Sequence, residues 1–438
     1  MAPLPFRICR SDHHRKSNIA PNRAEQRDGS EIATEIARDY VRTVFLDRRF
    51  GLFLLLLFIN GVVFGPFLPF LPVYVEEELE LSQTFTANFR TISLFLMATF
   101  VLLGGVLSDS LGPKKSMMLG LIGTPVAAAV FIIVNPGVLL ALSIYRGISD
   151  GLLNGGGQTY MIATAPASRL GAATAIYFLG NTLGSALGSL IGGVILELSS
   201  FTILGFAMLA TSGPVLLAVL FLLPDVQTGA SGRPKVTEVL RGYREIVGRR
   251  HVWTLSSMQF LRTTFWGAAS LTMPFLMNEL TGSKIAVSAF NTVSLVVGMA
   301  SMIVVGAISD RIGRRKIVMG CIAGIGISSA LLALSSGNAP GLFVAGTLAT
   351  TIAWTLSGQV TPLAKEMSEQ GEEGRLVGMI LFPWALGMLA GAQIHGQFSE
   401  SNPGLMFALL TILLVASLGL AELMFRSAAA RPAFARRD

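Results

Sequence analysis

From residue 50 to residue 426 the chain is a succession of apolar runs of about twenty residues, parted by short polar or Gly/Pro-bearing breaks. A run of that length crosses a hydrocarbon layer of about 30 Å as a helix. One long polar stretch, residues 224–250, divides the series in two. The remainder divides into twelve spans of about 29 residues each with their loops. The pattern places them at 50–74, 85–107, 116–134, 137–163, 170–197, 201–223, 252–278, 285–308, 317–336, 340–364, 375–398 and 403–425. The expected organisation is a tail at 1–49, six spans in 50–223, a linker at 224–251, six spans in 252–426 and a second tail at 427–438. The first span is too long, and too far along the chain, to read as a cleaved signal peptide. Within the first tail, Ile32, Ile36, Tyr40 and Val44 recur at helical spacing. That suits either an amphipathic helix lying on a membrane surface or a solvated tail.

Composition agrees with the pattern. Of 438 residues, 52% are hydrophobic and only 13% charged, roughly half the charge of an ordinary soluble chain. A soluble enzyme, a disordered chain and a nucleic-acid binder are thereby excluded as whole-chain readings, and a polytopic membrane protein remains. Basic residues punctuate the apolar runs instead of forming a patch, so the net charge of +7 does not suggest nucleic acid. With both tails on one side, that side's segments hold 29 of the 33 lysines and arginines. The opposite side has only Lys284, and Arg90, Arg146 and Arg262 lie within spans. By the positive-inside rule both termini are expected to be cytoplasmic. The first loop on the other side carries Glu76, Glu77, Glu78 and Glu80 instead.

Several chemistries find no residues to carry them. Cys9 and Cys321 are too few and too scattered for a disulfide framework or a thiolate metal site. The four histidines make no zinc-binding pair, and no Gly-Lys dipeptide offers a phosphate-binding loop. The run Gly155-Gly156-Gly157 lies inside an apolar span and reads as helix packing or a hinge. No cofactor, metal or obligate protein partner is expected; the lipid bilayer and a small-molecule substrate are.

The most specific signal is an internal repeat. Gly105-Val-Leu-Ser-Asp109-Ser110-Leu-Gly112-Pro113-Lys114-Lys115 follows the second span, and Gly306-Ala-Ile-Ser-Asp310-Arg311-Ile-Gly313-Arg314-Arg315-Lys316 follows the eighth, offset by 201 residues. Duplicated six-span halves with a substrate path between them are a recurring transporter architecture. Across residues 50–426 the chain resembles the major facilitator superfamily, whose loop signature is Gly-x-x-x-Asp-Arg-x-Gly-Arg-Arg/Lys-Arg/Lys. The second copy matches fully; the first departs at Ser110 and Pro113. The resemblance implies an all-α membrane protein with twelve transmembrane helices in two pseudo-symmetric six-helix bundles. It further implies that these loops act in gating, closing the cytoplasmic side when the protein faces outward. Plain topology-setting charge is the alternative for the basic runs. Two more matches follow. Arg146-Gly-Ile-Ser-Asp150-Gly151 in the fourth span resembles a pattern common among proton-coupled members. Gly184, Gly188, Gly192 and Gly193 in the fifth resemble the exporter signature, with Ser189 in place of its proline. Glycines at this spacing are also a generic close-packing face.

A charge at mid-bilayer costs roughly 2.5–3.5 kcal/mol on insertion scales, so each needs a reason. Arg146, Asp150, Asn154 and Gln158 step by four and form one slowly drifting stripe. Arg146 and Asp150 can pair at i,i+4, either as a structural ion pair or as the proton-coupling element. Shifted by 201, the stripe becomes Thr347, Thr351, Thr355 and Gln359. Arg262 lies about 15 Å into the seventh span, with Gln259 and Trp266 on its face; it either pairs with Asp150 across a cavity or meets an anionic substrate group. Asn60, Asn181, Asn291, Trp354 and Trp384 are further cavity candidates. Arg90, Glu422 and His395 are expected near span ends, snorkelling or interfacial. The first expectation for function is a proton-coupled exporter of small organic compounds in a bacterial inner membrane, resembling drug:proton antiporters. The alternatives are an organic-anion symporter or exchanger, and a sensor or scaffold that moves nothing.

Overall fold

The computed structural model describes residues 48–165, 170–226, 249–367 and 373–429. Most of the first tail, the middle of the linker and the last nine residues therefore lie outside the described residues, with the expectations that fall on them. Fourteen helices occur among the described residues: α1 (Arg48–Phe64), α2 (Phe67–Glu77), α3 (Gln83–Leu111), α4 (Pro113–Leu121), α5 (Gly123–Val130), α6 (Pro136–Thr164), α7 (Leu170–Leu198), α8 (Phe201–Leu222), α9 (Arg250–Thr281), α10 (Lys284–Ile312), α11 (Arg314–Ser335), α12 (Ala339–Met367), α13 (Glu373–Phe398) and α14 (Pro403–Ala429). Without water, a segment in hydrocarbon must satisfy its own backbone, and the helix does this within one segment. α1 with α2, and α4 with α5, are single rods interrupted at Gly65–Pro66 and at Ile122, so the fourteen make twelve spans. Seven are apolar and long enough to be recognised as spans on those grounds alone. Of the other five, α3, α6 and α9 carry Arg90, Arg146 and Arg262, and α4–α5 is interrupted.

The two halves repeat in detail. α3 and α10 are each 29 residues long and start after Ser82 and Ser283. They end at Gly112 (φ 89°) and Gly313 (φ 93°), a backbone region that favours glycine. Pro113 then opens α4 at the first helical position, where a missing N–H costs nothing. That accounts for one departure from the loop signature. The offset is not constant, however. α6 begins at 136 and α12 at 339, a shift of 203, because the segments preceding them differ in length. The positions of α12 matching Arg146, Asp150, Asn154 and Gln158 are therefore Ala349, Ala353, Ser357 and Thr361, not the threonine series reached with an offset of 201.

The halves meet along α2 with α9, α3 with α13, and α7 with α10. A single core joins them at the end bearing the acidic loop, including Val73 and Val75 of α2 with Phe275 and Leu276 of α9. A second core of Phe50, Phe53, Met117, Tyr160 and Tyr177 lies within the first half at the opposite, basic-loop end. Among the described residues, every hydrogen bond between halves lies toward the acidic-loop end, from Gln83–Glu400 to Thr292–Ala186.

Candidate transport site

α6 is set by Asn135, whose side chain accepts from the Val138 N–H (3.1 Å), and by Pro136 in the first turn. Gly147 and Gly151 let it lie directly on α3; a Cβ on Gly151 would come 2.6 Å from Phe100 Cβ. This close packing carries Arg146 into the bundle, where it is only 3% exposed. Its guanidinium forms an ion pair with Asp150, donates to Ser149 Oγ (3.2 Å) and lies over the Phe64 ring, 4.4 Å from the centroid. Its Nε has no partner. The Asp150 side chain is 19% exposed, so the carboxylate is the open end of the pair. Gly123 of α5 makes the room: a Cβ there would sit 2.8 Å from Arg146 Nη1 and closer still to Ser149 Oγ. Arg90 is half-buried and within Coulombic reach of both Asp150 and Arg146. Asn154 bonds the Asp150 carbonyl (2.8 Å), not its carboxylate, and Gln158 is exposed.

Arg262 has a different setting. It is 3% exposed, and its partners are Gln259 Oε1 (3.2 and 3.0 Å), Ser357 Oγ (2.9 Å) and the Ala353 carbonyl (3.4 Å). These lie in its own half, so the structure does not pair it with Asp150, and no carboxylate is among these partners. Ala353 and Ser357 stand at the positions matching Asp150 and Asn154, which leaves α12 neutral where α6 is charged. Around them, Trp354 Nε1, Thr351 Oγ1 and the fully buried Gln359 Oε1 lack hydrogen-bond partners. Trp354 packs on Gly298 of α10, and Trp266 packs on the core. Asn60 accepts from Thr124 Oγ1 (2.8 Å) inside the first half, so its amide oxygen is already engaged. Asn181 is exposed; Asn291 and Trp384 are half-buried.

The four glycines of α7 split between two partners. Gly184 and Gly188 face the Phe58 and Val62 carbonyls of α1, and Gly192 faces Pro66. Pro66 lacks the N–H that would bond Val62, so the freed carbonyl lies where Gly188 comes closest. Gly193 instead faces Ser288 of α10, in the other half. The loop signatures are seen in part, since the side chains of Asp109, Asp310 and Arg311 and the surroundings of Gly105 lie outside the described residues. Gly306 has open space around it. Lys114 is buried and caps the end of α8, donating to the Leu220 and Leu223 carbonyls (2.8 and 2.6 Å); Lys115 is exposed. Arg315 bonds Glu422 of α14 (2.8 Å), which also holds Arg426, so Glu422 serves as a junction and does not merely snorkel. His395, expected at the interface with solvent, is completely buried, 2.8 Å from Thr272 Oγ1 and 3.2 Å from Gln83 Oε1.

A twelve-span bundle in two matching halves, with charged groups buried at mid-depth, defines a secondary-transporter fold in an integral membrane protein. The chain belongs to the Major Facilitator Superfamily, whose model matches residues 53–258 and 255–437. It is 25% identical over 153 residues to Sugar efflux transporter C of Escherichia coli (strain K12), covering 35% of this chain and 39% of that protein. A putative metabolite transport protein of Haemophilus influenzae is 25% identical over 160 residues, covering 36% and 39%. Multidrug resistance protein MdtG of Proteus mirabilis is 25% identical over 276 residues, covering 60% and 67%. The first two matches thus span about two-fifths of the relatives' length. Crystal structures of the nucleoside transporter NupG superpose with TM-scores of 0.74 and 0.71 over 86% of the chain and 100% and 99% of theirs, at 12% and 15% identity, which establishes the shared fold.

Proposed function

We propose that this transporter exports a small organic solute from a bacterial cell across the inner membrane, driven by protons entering through Asp150. The observation that carries the reading is the Arg146–Asp150 pair: a buried arginine holding a carboxylate whose own side chain is partly open. A carboxylate held on one side by an arginine and open on the other can exchange a proton with the cavity when solute displaces the arginine. One protonatable group near the midplane suffices for coupling by alternating access. Similarity to a sugar efflux transporter and to a multidrug resistance protein supports outward transport. The bias of 29 of 33 basic residues supports cytoplasmic termini. In proteoliposomes, Asp150→Asn is expected to abolish accumulation driven by a proton gradient while passive exchange remains measurable. Accumulation at unchanged pH dependence would mean that the pair is structural.

A second reading, exchange of organic anions, rests on Arg262. Its charge is met only by neutral acceptors, a setting that suits an anionic group on the solute. Inside-out vesicles separate the two: solute-stimulated proton movement supports the first reading, anion counterflow the second.

A further inference from the structure

We infer that Glu197 and Glu400 are reciprocal gating residues, each capping the first turn of a helix in the opposite half and so clasping the acidic-loop end shut. The first N–H groups of any helix lack partners within it and carry partial positive charge. At the start of α3, the Gln83 N–H donates to Glu400 Oε1 (2.5 Å), a carboxylate of the second half. At the start of α10, the Lys284 and Ile285 N–H groups donate to Glu197 Oε2 (2.8 and 3.2 Å), a carboxylate of the first half, with the Ser283 hydroxyl at 3.3 Å. Gln83 and Lys284 are matched positions, each the first residue of a 29-residue helix. Each also reaches across with its side chain. Gln83 Oε1 meets His395, and Lys284 Nζ meets Glu77 (2.5 Å).

The arrangement is therefore two-fold: one backbone cap and one side-chain tether on each side of the seam. All of these bonds join one half to the other, so separation of the halves at this end breaks every one and returns the N–H groups to water. Contacts made in only one conformation shift the equilibrium toward it. The carboxylates are exposed, so each cap is modest and readily broken during a cycle. The clasp rests on alternating access alone and is independent of which group couples the proton.

The test uses spin labels at Val134→Cys and Leu334→Cys, exposed positions at the same end of opposite halves. Distance distributions are measured in the full chain reconstituted in lipid. The double variant Glu197→Ala/Glu400→Ala is expected to raise the long-distance population about threefold, and each single variant to give part of that shift. Gln83→Pro with Lys284→Pro instead removes the first N–H donor of each cap together with both side-chain tethers, leaving the Ile285 N–H and the Ser283 hydroxyl on Glu197. Ser82 and Ser283 are extended and proline is tolerated at the first helical position, so the pair should fold and reproduce the shift. An unchanged distribution in either double variant overturns the proposal. So does a shift produced by Glu197→Ala that Glu400→Ala does not share, because the two caps would then not be reciprocal.

Discussion

The Arg146–Asp150 pair is made possible by an absent side chain, that of Gly123. A methyl group at that position has no room between Ser149 Oγ and Arg146 Nη1. Gly123→Ala is therefore expected to displace the guanidinium and to destabilise the protein by about 1–3 kcal/mol, the usual range for overpacking. Thermal unfolding in detergent would measure it. Removing one member of the pair leaves the other's charge buried and should cost about 3–5 kcal/mol, whereas removing both should cost less. A cycle of Arg146→Ala, Asp150→Ala and the double variant would show coupling of that sign; additive losses would contradict the pairing. The spacing of Arg146 and Asp150 on one helical face is legible in the sequence. The role of Gly123 is not, because it lies 23 residues away on another span and makes its contribution by lacking a Cβ. The partners of Arg262 are hidden for a related reason: the sequence repeat has one offset and the helices another, so the repeat alone matches the wrong residues of α12 to α6.

At the scale of elements, the α1–α7 seam depends on glycines facing carbonyls. Gly188 lies against the Val62 carbonyl that Pro66 leaves unpaired, and an alanine there must force the helices apart. Gly180, on the same helix, has nothing within 4 Å of the place a methyl group would take. Gly188→Ala should lower stability by about 1–3 kcal/mol. Gly180→Ala should be neutral or stabilising by about 0.4–1 kcal/mol, through reduced freedom of the unfolded chain. Comparative melting of the two variants decides whether the glycine run works as a packing face. The twelve spans are readable because a hydrocarbon crossing demands some twenty apolar residues, and the loop glycines 112 and 313 because both take positive φ. The breaks at Gly65–Pro66 and Ile122 are not. Pro66 lacks the N–H that would bond Val62, and Gly188, the residue that packs against that carbonyl, is distant in sequence.

For the whole molecule, the inter-half hydrogen bonds among the described residues gather toward one end and predict access from the other. Asn181 lies about 16 Å along α7 from the basic-loop end and is exposed. An amide facing lipid at that depth would be costly, so its exposure is best met by a water-filled opening between the halves. With the basic loops cytoplasmic, as proposed from their charge, that opening faces the cytoplasm in the conformation described. Asn181→Cys should then react with a membrane-impermeant maleimide in inside-out vesicles at least about tenfold faster than in right-side-out cells, since the clasped end bars the reagent from the other face. Adding Glu197→Ala and Glu400→Ala should narrow that ratio by raising labelling from the right-side-out face, with little change from the other. Equal labelling from both faces without these substitutions would show that the acidic-loop end is not closed. Preferential labelling from the right-side-out face would reverse the orientation drawn from the charges.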